Sequence, residues 1–254
     1  MNRLVRAAAA LPAVVVVLLA VACGSAKKDD PILRLSAAES LVEGKRLFER
    51  ERFAAARPYF AHAFEVEPNS AAGREALLLV ADTLFLEGGS TNLIQAEAKY
   101  RDFMNRFPTS DKGAYVQSQI AAALAKRIER PDRDQAATVK ALEAYRDLIR
   151  LYPTSPFADA ARGEIAKVED RLAEHEYLVG RFYLRYRLPP AAIGRFEKLL
   201  EDYPAYSGRD RALYYLGLAY RAGKRADDAQ ASFTKLREQF PDSEWVAKIP
   251  KENR

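Results

Sequence analysis

One spacing recurs five times in this chain of 254 residues: an alanine, an aromatic residue four positions later, and a proline eight positions after that. The prolines of successive sets lie 40, 45, 51 and 37 residues apart. A pattern that returns at such a period indicates a repeat architecture, in which each supersecondary unit stacks on the next. The sets are Ala56/Phe60/Pro68, Ala96/Tyr100/Pro108, Ala141/Tyr145/Pro153, Ala192/Phe196/Pro204 and Ala229/Phe233/Pro241.

The last set is preceded by Leu216, Gly217 and Tyr220, which complete a helix pair. This combination resembles the tetratricopeptide repeat, in which a small residue lets two helices approach, an aromatic fills the groove and a proline ends the unit. The resemblance implies an all-α solenoid of about five helix pairs, with one buried aromatic in each unit. Because every period exceeds the usual 34 residues, we expect an irregular solenoid.

The apolar residues from about Ala37 onward recur at helical spacing, and no segment alternates as a strand does. The pattern predicts ten or eleven helices and no sheet. No proline occurs between Phe157 and Arg187. We therefore expect one helix of about 30 residues there, roughly 45 Å long, joining the third and fourth units.

Serines after the repeat prolines indicate where helices begin, because a serine hydroxyl accepts a hydrogen bond from the free N–H groups of a first turn. The sequence predicts caps at Ser70, Ser110, Ser155 and Ser243. The unit after Pro204 lacks this serine, and Ser207 or Asp210 is the expected cap there.

The first 22 residues have the features of a secretion signal: Arg3 and Arg6, an apolar run from Ala7 to Val21, and a small-residue cleavage site. The only cysteine, Cys23, follows directly. This arrangement resembles the bacterial lipobox, which implies that Cys23 is lipidated and becomes the mature N-terminus. The alternative is an unmodified cysteine at the end of an ordinary signal peptide. Gly24 follows, and in proteobacterial lipoproteins a residue other than Asp there implies export to the outer membrane.

The domain boundaries follow from these features. We expect a lipoprotein signal peptide at 1–22, a polar tether at 23–36 and a solenoid at 37–250, with an N-terminal half at about 37–155 and a C-terminal half at about 156–250. Removing Arg3 and Arg6 from the 40 basic residues leaves 38, against 35 acidic ones. This near-neutral balance, without long basic runs, argues against a nucleic-acid partner.

Residues suited to catalysis are scarce. The chain has two histidines, His62 and His175, and no HExxH, CxxC, GxSxG, Walker A or GxGxxG motif. Each histidine is interpreted as a surface or packing residue. We therefore expect a protein that is not an enzyme and that has no catalytic site, cofactor or metal.

Three segments between Asp134 and Tyr220 carry a more specific signature. Residues 141–155 continue the repeat, residues 170–177 read DRLAEHEY, and residues 199–204 read LLEDYP. Together they resemble the BamD (YfiO) family, lipoproteins of the outer-membrane β-barrel assembly machine. The resemblance implies a lipid anchor at Cys23 on the periplasmic face of the outer membrane. It also implies a C-terminal half that docks the barrel-forming BamA-type subunit, contacts with other assembly lipoproteins, and an N-terminal half that meets unfolded outer-membrane proteins.

The candidate partner-binding residues are Arg209, Arg211, Tyr214 and Tyr215, expected as an exposed cluster that opens a helix of the fifth unit. A second stripe, Tyr177 to Tyr186 with interleaved arginines, either packs the repeat core or forms part of a protein-binding face. The alternative function is a periplasmic repeat adaptor lipoprotein for cell-wall synthesis or division. A long helix across the third and fourth units would favour barrel assembly, whereas five evenly stacked units would favour the adaptor.

Overall fold

The computed structural model describes residues 30–251, and these form an all-helical solenoid. The expected signal peptide, Cys23 and the tether up to residue 29 lie outside the described residues. Asp30 caps a short 3-10 helix, Pro31–Arg34, that packs against the second α-helix of the solenoid. The C-terminal end of the expected tether is therefore folded onto the first unit.

Eleven α-helices follow within the described range, as the periodicity predicts, and each of the first ten packs on the next. We group them as unit one (α1, α2), unit two (α3, α4), unit three (α5, α6), unit four (α7, α8) and unit five (α9, α10), with α11 as a terminal turn. Their bounds are α1 Ala37–Phe48, α2 Phe53–Val66, α3 Ala71–Glu87, α4 Ser90–Arg106, α5 Gly113–Ala125, α6 Ala136–Leu151, α7 Pro156–Arg185, α8 Pro189–Asp202, α9 Arg209–Ala222, α10 Ala226–Gln239 and α11 Glu244–Ala247.

The aromatic residue of every repeat set is buried, which confirms the register of the repeat. Relative exposures range from 0% to 7% for the five side chains, Phe60, Tyr100, Tyr145, Phe196 and Phe233. Each lies on the second helix of its unit. The alanine four residues earlier is buried as well, so each second helix presents the same small-plus-aromatic face to its neighbours.

The turn between paired helices has one geometry in three units. Glu51, Arg187 and Lys224 each adopt a positive φ, at 57°, 57° and 61°. The residue after each donates its backbone N–H to a carbonyl five residues back, for example Leu188 to Tyr183 at 3.0 Å. This left-handed termination satisfies carbonyls at the helix end and reverses the chain in a short turn.

Helix α7 has the predicted length, 30 residues, and it belongs to two hydrophobic cores. Its N-terminal part, up to Leu172, packs in the core of units one to three. Its C-terminal part, from Ala173, packs in the core of units four and five. The two clusters of buried residues therefore meet inside α7, whereas the expected division of the solenoid lies at the start of this helix.

The predicted caps are correct at Ser70 and Ser243. The hydroxyl of Ser70 accepts from the backbone N–H of Gly73 at 2.9 Å, and that of Ser243 accepts from Trp245 at 3.2 Å. Ser155 occupies the cap position of α7, but its hydroxyl makes no cap hydrogen bond.

Two cap predictions are wrong. After Ser110 the chain makes another turn and α5 begins only at Gly113, so that Lys112 holds the cap position. After Pro204 the cap position belongs to Gly208 rather than to Ser207 or Asp210. In both cases a longer turn separates the proline from the helix.

Candidate partner-binding surfaces

Arg209 and Arg211 do not form the exposed pair that the sequence predicts, because two residues along a helix point to different sides. Arg209 donates to the carbonyl of Leu200 at 3.0 Å and borders a cavity of about 420 Å³ between α8, α9 and α10. The half-buried Arg211 turns instead toward α7, where it forms an ion pair with Glu174. Both arginines hold elements of the solenoid together.

The environment of Arg211 is a dense polar and aromatic cluster. Its guanidinium donates to the hydroxyl of Tyr206 at 2.6 Å and lies 4.4 Å from the ring centroid of Tyr177. The Tyr206 hydroxyl in turn donates to Glu174. Burial raises the pKa of Tyr206, and the hydrogen bond to Glu174 raises it further. A charge reversal at Arg211 would place two carboxylates in this half-buried site.

Tyr214 and Tyr215 are half-buried and connect α9 to α11. The rings of both pack on Trp245, at centroid distances of 5.0 and 5.6 Å. Tyr215 also packs edge to face on the buried Tyr177, at 5.6 Å. Aromatic pairs of this kind contribute about 0.5–1.5 kcal/mol beyond their buried area. Much of their surface is therefore used to hold α11 in place, and the remainder is exposed.

A different group of side chains is more exposed than these four candidates. At the C-terminal end of α7 and in the following turn, Phe182, Tyr186 and Leu188 are 54%, 61% and 49% exposed. The rings of Phe182 and Tyr186 pack on each other at 4.5 Å. Arg185 and Arg187 are exposed beside them. We call these five residues the α7 tip.

The stripe of aromatics along α7 is thus divided between the two roles that the sequence left open. Tyr177 is buried in the core, and burial raises its pKa to about 12. Phe182 and Tyr186, further along the helix, face solvent. Aromatic and arginine side chains exposed together are the types that dominate protein interfaces, so the α7 tip can form the centre of a binding surface.

The N-terminal half carries a pocket that was not predicted from the sequence. It measures about 590 Å³ and lies between α3 and α5, with Phe103 of α4 also lining it. Asp82 of α3 is buried there and accepts hydrogen bonds from the hydroxyls of Tyr100 and Tyr115. A single acid inside the apolar run of residues 76–84 is the signal that could have revealed it.

The two histidines lie apart, and each bonds a backbone carbonyl. Nε2 of His62 is 3.0 Å from the oxygen of Leu35, and Nδ1 of His175 is 2.6 Å from that of Pro131. They join the N-terminal segment to α2 and the 130–135 turn to α7. Within residues 30–251, no three His, Cys, Asp or Glu side chains group in a way that could hold a metal ion. No helix in that range is long and apolar enough to span a bilayer.

Comparison with known proteins places the chain in a family. It is 29% identical to the outer membrane protein assembly factor BamD of Caulobacter vibrioides over 242 residues, which covers 94% of this chain and 78% of that protein. It is 28% identical to the protein of the same name from Rickettsia prowazekii over 237 residues, 93% of each chain.

A family model matches most of the solenoid. The sequence matches the YfiO family, described as an outer membrane lipoprotein, over residues 35–232. That range begins before α1 and extends into α10, and so includes nearly the whole solenoid. The chain therefore belongs to the YfiO family of outer membrane lipoproteins.

Proposed function

We propose that this protein is a non-enzymatic scaffold of the machinery that assembles β-barrel proteins into the outer membrane. The observation that carries this proposal is the family match over residues 35–232, together with relatives named as outer membrane protein assembly factors. A repeat solenoid suits a scaffold because each unit adds surface without a catalytic centre. Its partners are a barrel-forming BamA-type subunit, other assembly lipoproteins and unfolded outer-membrane proteins.

The long helix α7 supports this function over the adaptor for cell-wall synthesis or division. In an array of evenly stacked units, a helix would end near the boundary between the two cores. Instead, the 30-residue helix α7 crosses that boundary and packs in both cores. The N-terminal and C-terminal halves are thus connected by a continuous helix, which suits a scaffold that bridges two partners.

We place the main contact with the barrel-forming subunit at the α7 tip. Phe182 and Tyr186 offer exposed rings that a partner can bury, and Arg185 and Arg187 can pair with acidic residues around them. Tyr214 and Tyr215 remain candidates for the edge of this contact. Arg209 and Arg211 are less suited, because both already have internal partners.

The membrane anchor of the scaffold is a lipid on Cys23. Its support is the small-residue site at Ala20–Ala22 and the absence of any other cysteine in the sequence. Mass spectrometry of the purified protein should find a lipid-modified Cys23 as the first residue, and Cys23→Ser should leave an uncleaved precursor. An unmodified Cys23, or cleavage elsewhere, would contradict the anchor without affecting the solenoid.

Affinity purification from detergent-solubilised membranes tests the proposed partner. The wild-type protein should retrieve a barrel-forming subunit, and Phe182→Ala/Tyr186→Ala should reduce its yield by at least about tenfold, since truncating hot-spot aromatics costs about 2 kcal/mol or more. The matched control is Ile94→Ala/Leu151→Ala, which removes side chains of similar exposure elsewhere on the solenoid. Retrieval of cell-wall or division proteins, with no barrel-forming subunit, would replace this function with the adaptor.

A further inference from the structure

The pocket between α3 and α5 is lined by apolar side chains and by the carboxylate of Asp82. Leu78 and Leu79 of α3 and Phe103 of α4 provide apolar surface, and Tyr115 closes the side of α5. Asp82 lies on the same face of α3 as Leu78 and Leu79, one turn further along. A volume of about 590 Å³ is ample for one long side chain of a bound polypeptide.

Only one oxygen of the Asp82 carboxylate accepts hydrogen bonds from the described residues. Oδ1 accepts from the hydroxyl of Tyr100 at 2.6 Å and from that of Tyr115 at 2.9 Å. Oδ2 makes no hydrogen bond within residues 30–251. Both donors are neutral at neutral pH, because the ordinary pKa of tyrosine is about 10 and burial raises it further. The carboxylate therefore has hydrogen-bond donors but no counter-ion among the described residues.

The other charged groups that line the pocket have partners of their own. Oε1 of Glu75 forms an ion pair with Nζ of Lys45 at 2.6 Å, and Oδ2 of Asp111 lies 3.6 Å from Nζ of Lys112. Arg74, at the other end of the pocket, donates to the carbonyl of Asn69 and lies over the ring of Phe107. Arg74 is eight residues from Asp82, about 12 Å along the helix axis, and is not among the groups that shift the pKa of Asp82.

We propose that this pocket binds a lysine or arginine side chain of a partner polypeptide, with the alkyl stem against Leu78 and Leu79 and the cationic head on Oδ2 of Asp82. A buried carboxylate without a counter-ion favours a cation that also brings hydrogen-bond donors. Burial raises the pKa of Asp82, which agrees with an anion that lacks charge compensation. The site goes beyond the proposed function, which assigns no ligand to this pocket.

A purely structural role makes a different prediction. Asp82 joins α3 to α4 and α5 through its two tyrosine bonds, and this role requires an acceptor oxygen but no negative charge. Asp82→Asn keeps an oxygen acceptor and removes the charge, so it separates cation binding from the structural link. Asp111→Asn is the matched control, because it removes a carboxylate that lines the same pocket and already lies near Lys112.

The test uses n-butylamine and n-butylguanidinium as side-chain probes and 1-butanol as the uncharged probe of equal stem length. Each is titrated into the full-length protein in detergent micelles, and the methyl NMR signals of Leu78 and Leu79 are followed. Both cations should shift these signals saturably, with an apparent affinity at least about tenfold above that of butanol. Asp82→Asn should lose that advantage, and Asp111→Asn should retain it.

Equal shifts by butylamine and butanol would overturn the proposal, and so would unchanged butylamine binding by a folded Asp82→Asn protein. The cations and the alcohol are compared on the wild-type protein. This comparison therefore tests whether the pocket prefers a cation even if the variant fails to fold. No outer-membrane protein takes part in this experiment. Its failure is therefore distinguishable from a failure of the affinity purification.

Discussion

Gly180 of α7 lies directly against the ring of Phe196 of α8. A Cβ atom added at position 180 would be 2.7 Å from Cε1 of that ring, closer than two non-bonded carbon atoms can approach. Gly44 with Phe60 and Gly217 with Phe233 repeat this relationship in units one and five. The glycine of each pair is thus the small residue that lets the paired helices approach around the repeat aromatic.

Gly180→Ala should destabilise the protein by about 1–3 kcal/mol, since the added methyl forces the ring or the helix to shift in a packed core. Gly163→Ala, in the same helix, is the matched control because a Cβ there meets nothing within 4 Å. That change should stabilise the helix by about 0.5–1 kcal/mol. Urea denaturation followed by circular dichroism measures both, and equal effects of the two substitutions would refute the close contact.

Phe196→Ala should lower the free energy of unfolding by about 3–5 kcal/mol, because it empties a fully packed site. Phe182→Ala, on the exposed tip of α7, should change it by no more than about 0.5 kcal/mol. The same denaturation experiment compares them. A large loss of stability at position 182 would mean that the ring packs in the core and is not free to bind a partner.

Much of the fold could be predicted from the sequence because the repeat residues have one structural role each. Ala192 and Phe196 are buried, as are their equivalents in every copy of the pattern, and the absence of proline between Phe157 and Arg187 permits a long helix. These are local rules of spacing and size. They hold wherever the unit recurs, which is why the helix pairs and α7 were anticipated.

The surfaces were predicted less well, because exposure depends on contacts between units. Nothing local to Arg211 indicates that it turns toward Glu174 of α7, which lies 37 residues earlier. Trp245 is even further from Tyr177 along the chain, yet both pack on Tyr215. The Asp82 pocket likewise requires α3 and α5 to be placed beside each other, which the spacing of the repeats alone does not specify.

Lys224→Gly should stabilise the protein by about 0.5–1 kcal/mol, because Lys224 has a φ of 61° in the turn after α9, a conformation that a Cβ atom disfavours and glycine adopts freely. The control is Lys235→Gly within α10, which should cost about 1 kcal/mol because glycine weakens a helix interior. Thermal denaturation distinguishes the two. A loss of stability at both positions would contradict the left-handed turn.

The stability of the Asp82→Asn protein relative to wild type should rise with pH. Burial raises the pKa of Asp82 above its usual 3.8, whereas the two tyrosine bonds lower it. The folded protein therefore holds this proton more tightly than the unfolded chain does. The resulting stabilisation is complete below the usual pKa and is lost as pH rises through the folded pKa. The Asp82→Asn protein lacks the titrating carboxyl and should show no such dependence.

Unfolding free energies of the two proteins at pH values from about 4 to 8 provide the measurement. Asp111→Asn, which changes an exposed carboxylate, should not show the same increase. A stability difference between Asp82→Asn and wild type that is flat or falls with pH would mean that desolvation does not dominate at Asp82. In that case the two tyrosine hydroxyls already compensate its charge.

The role in barrel assembly is tested most directly by depleting the protein from cells and measuring folded outer-membrane β-barrels, by their migration in unheated detergent gels. We expect folded barrels to fall early in depletion, before growth stops, and wild-type protein supplied in trans to restore them. Protein carrying Phe182→Ala/Tyr186→Ala should restore them poorly, and the Ile94→Ala/Leu151→Ala control should restore them fully. Unchanged levels of folded barrels in depleted cells that fail to divide or lose wall integrity would contradict the assembly function.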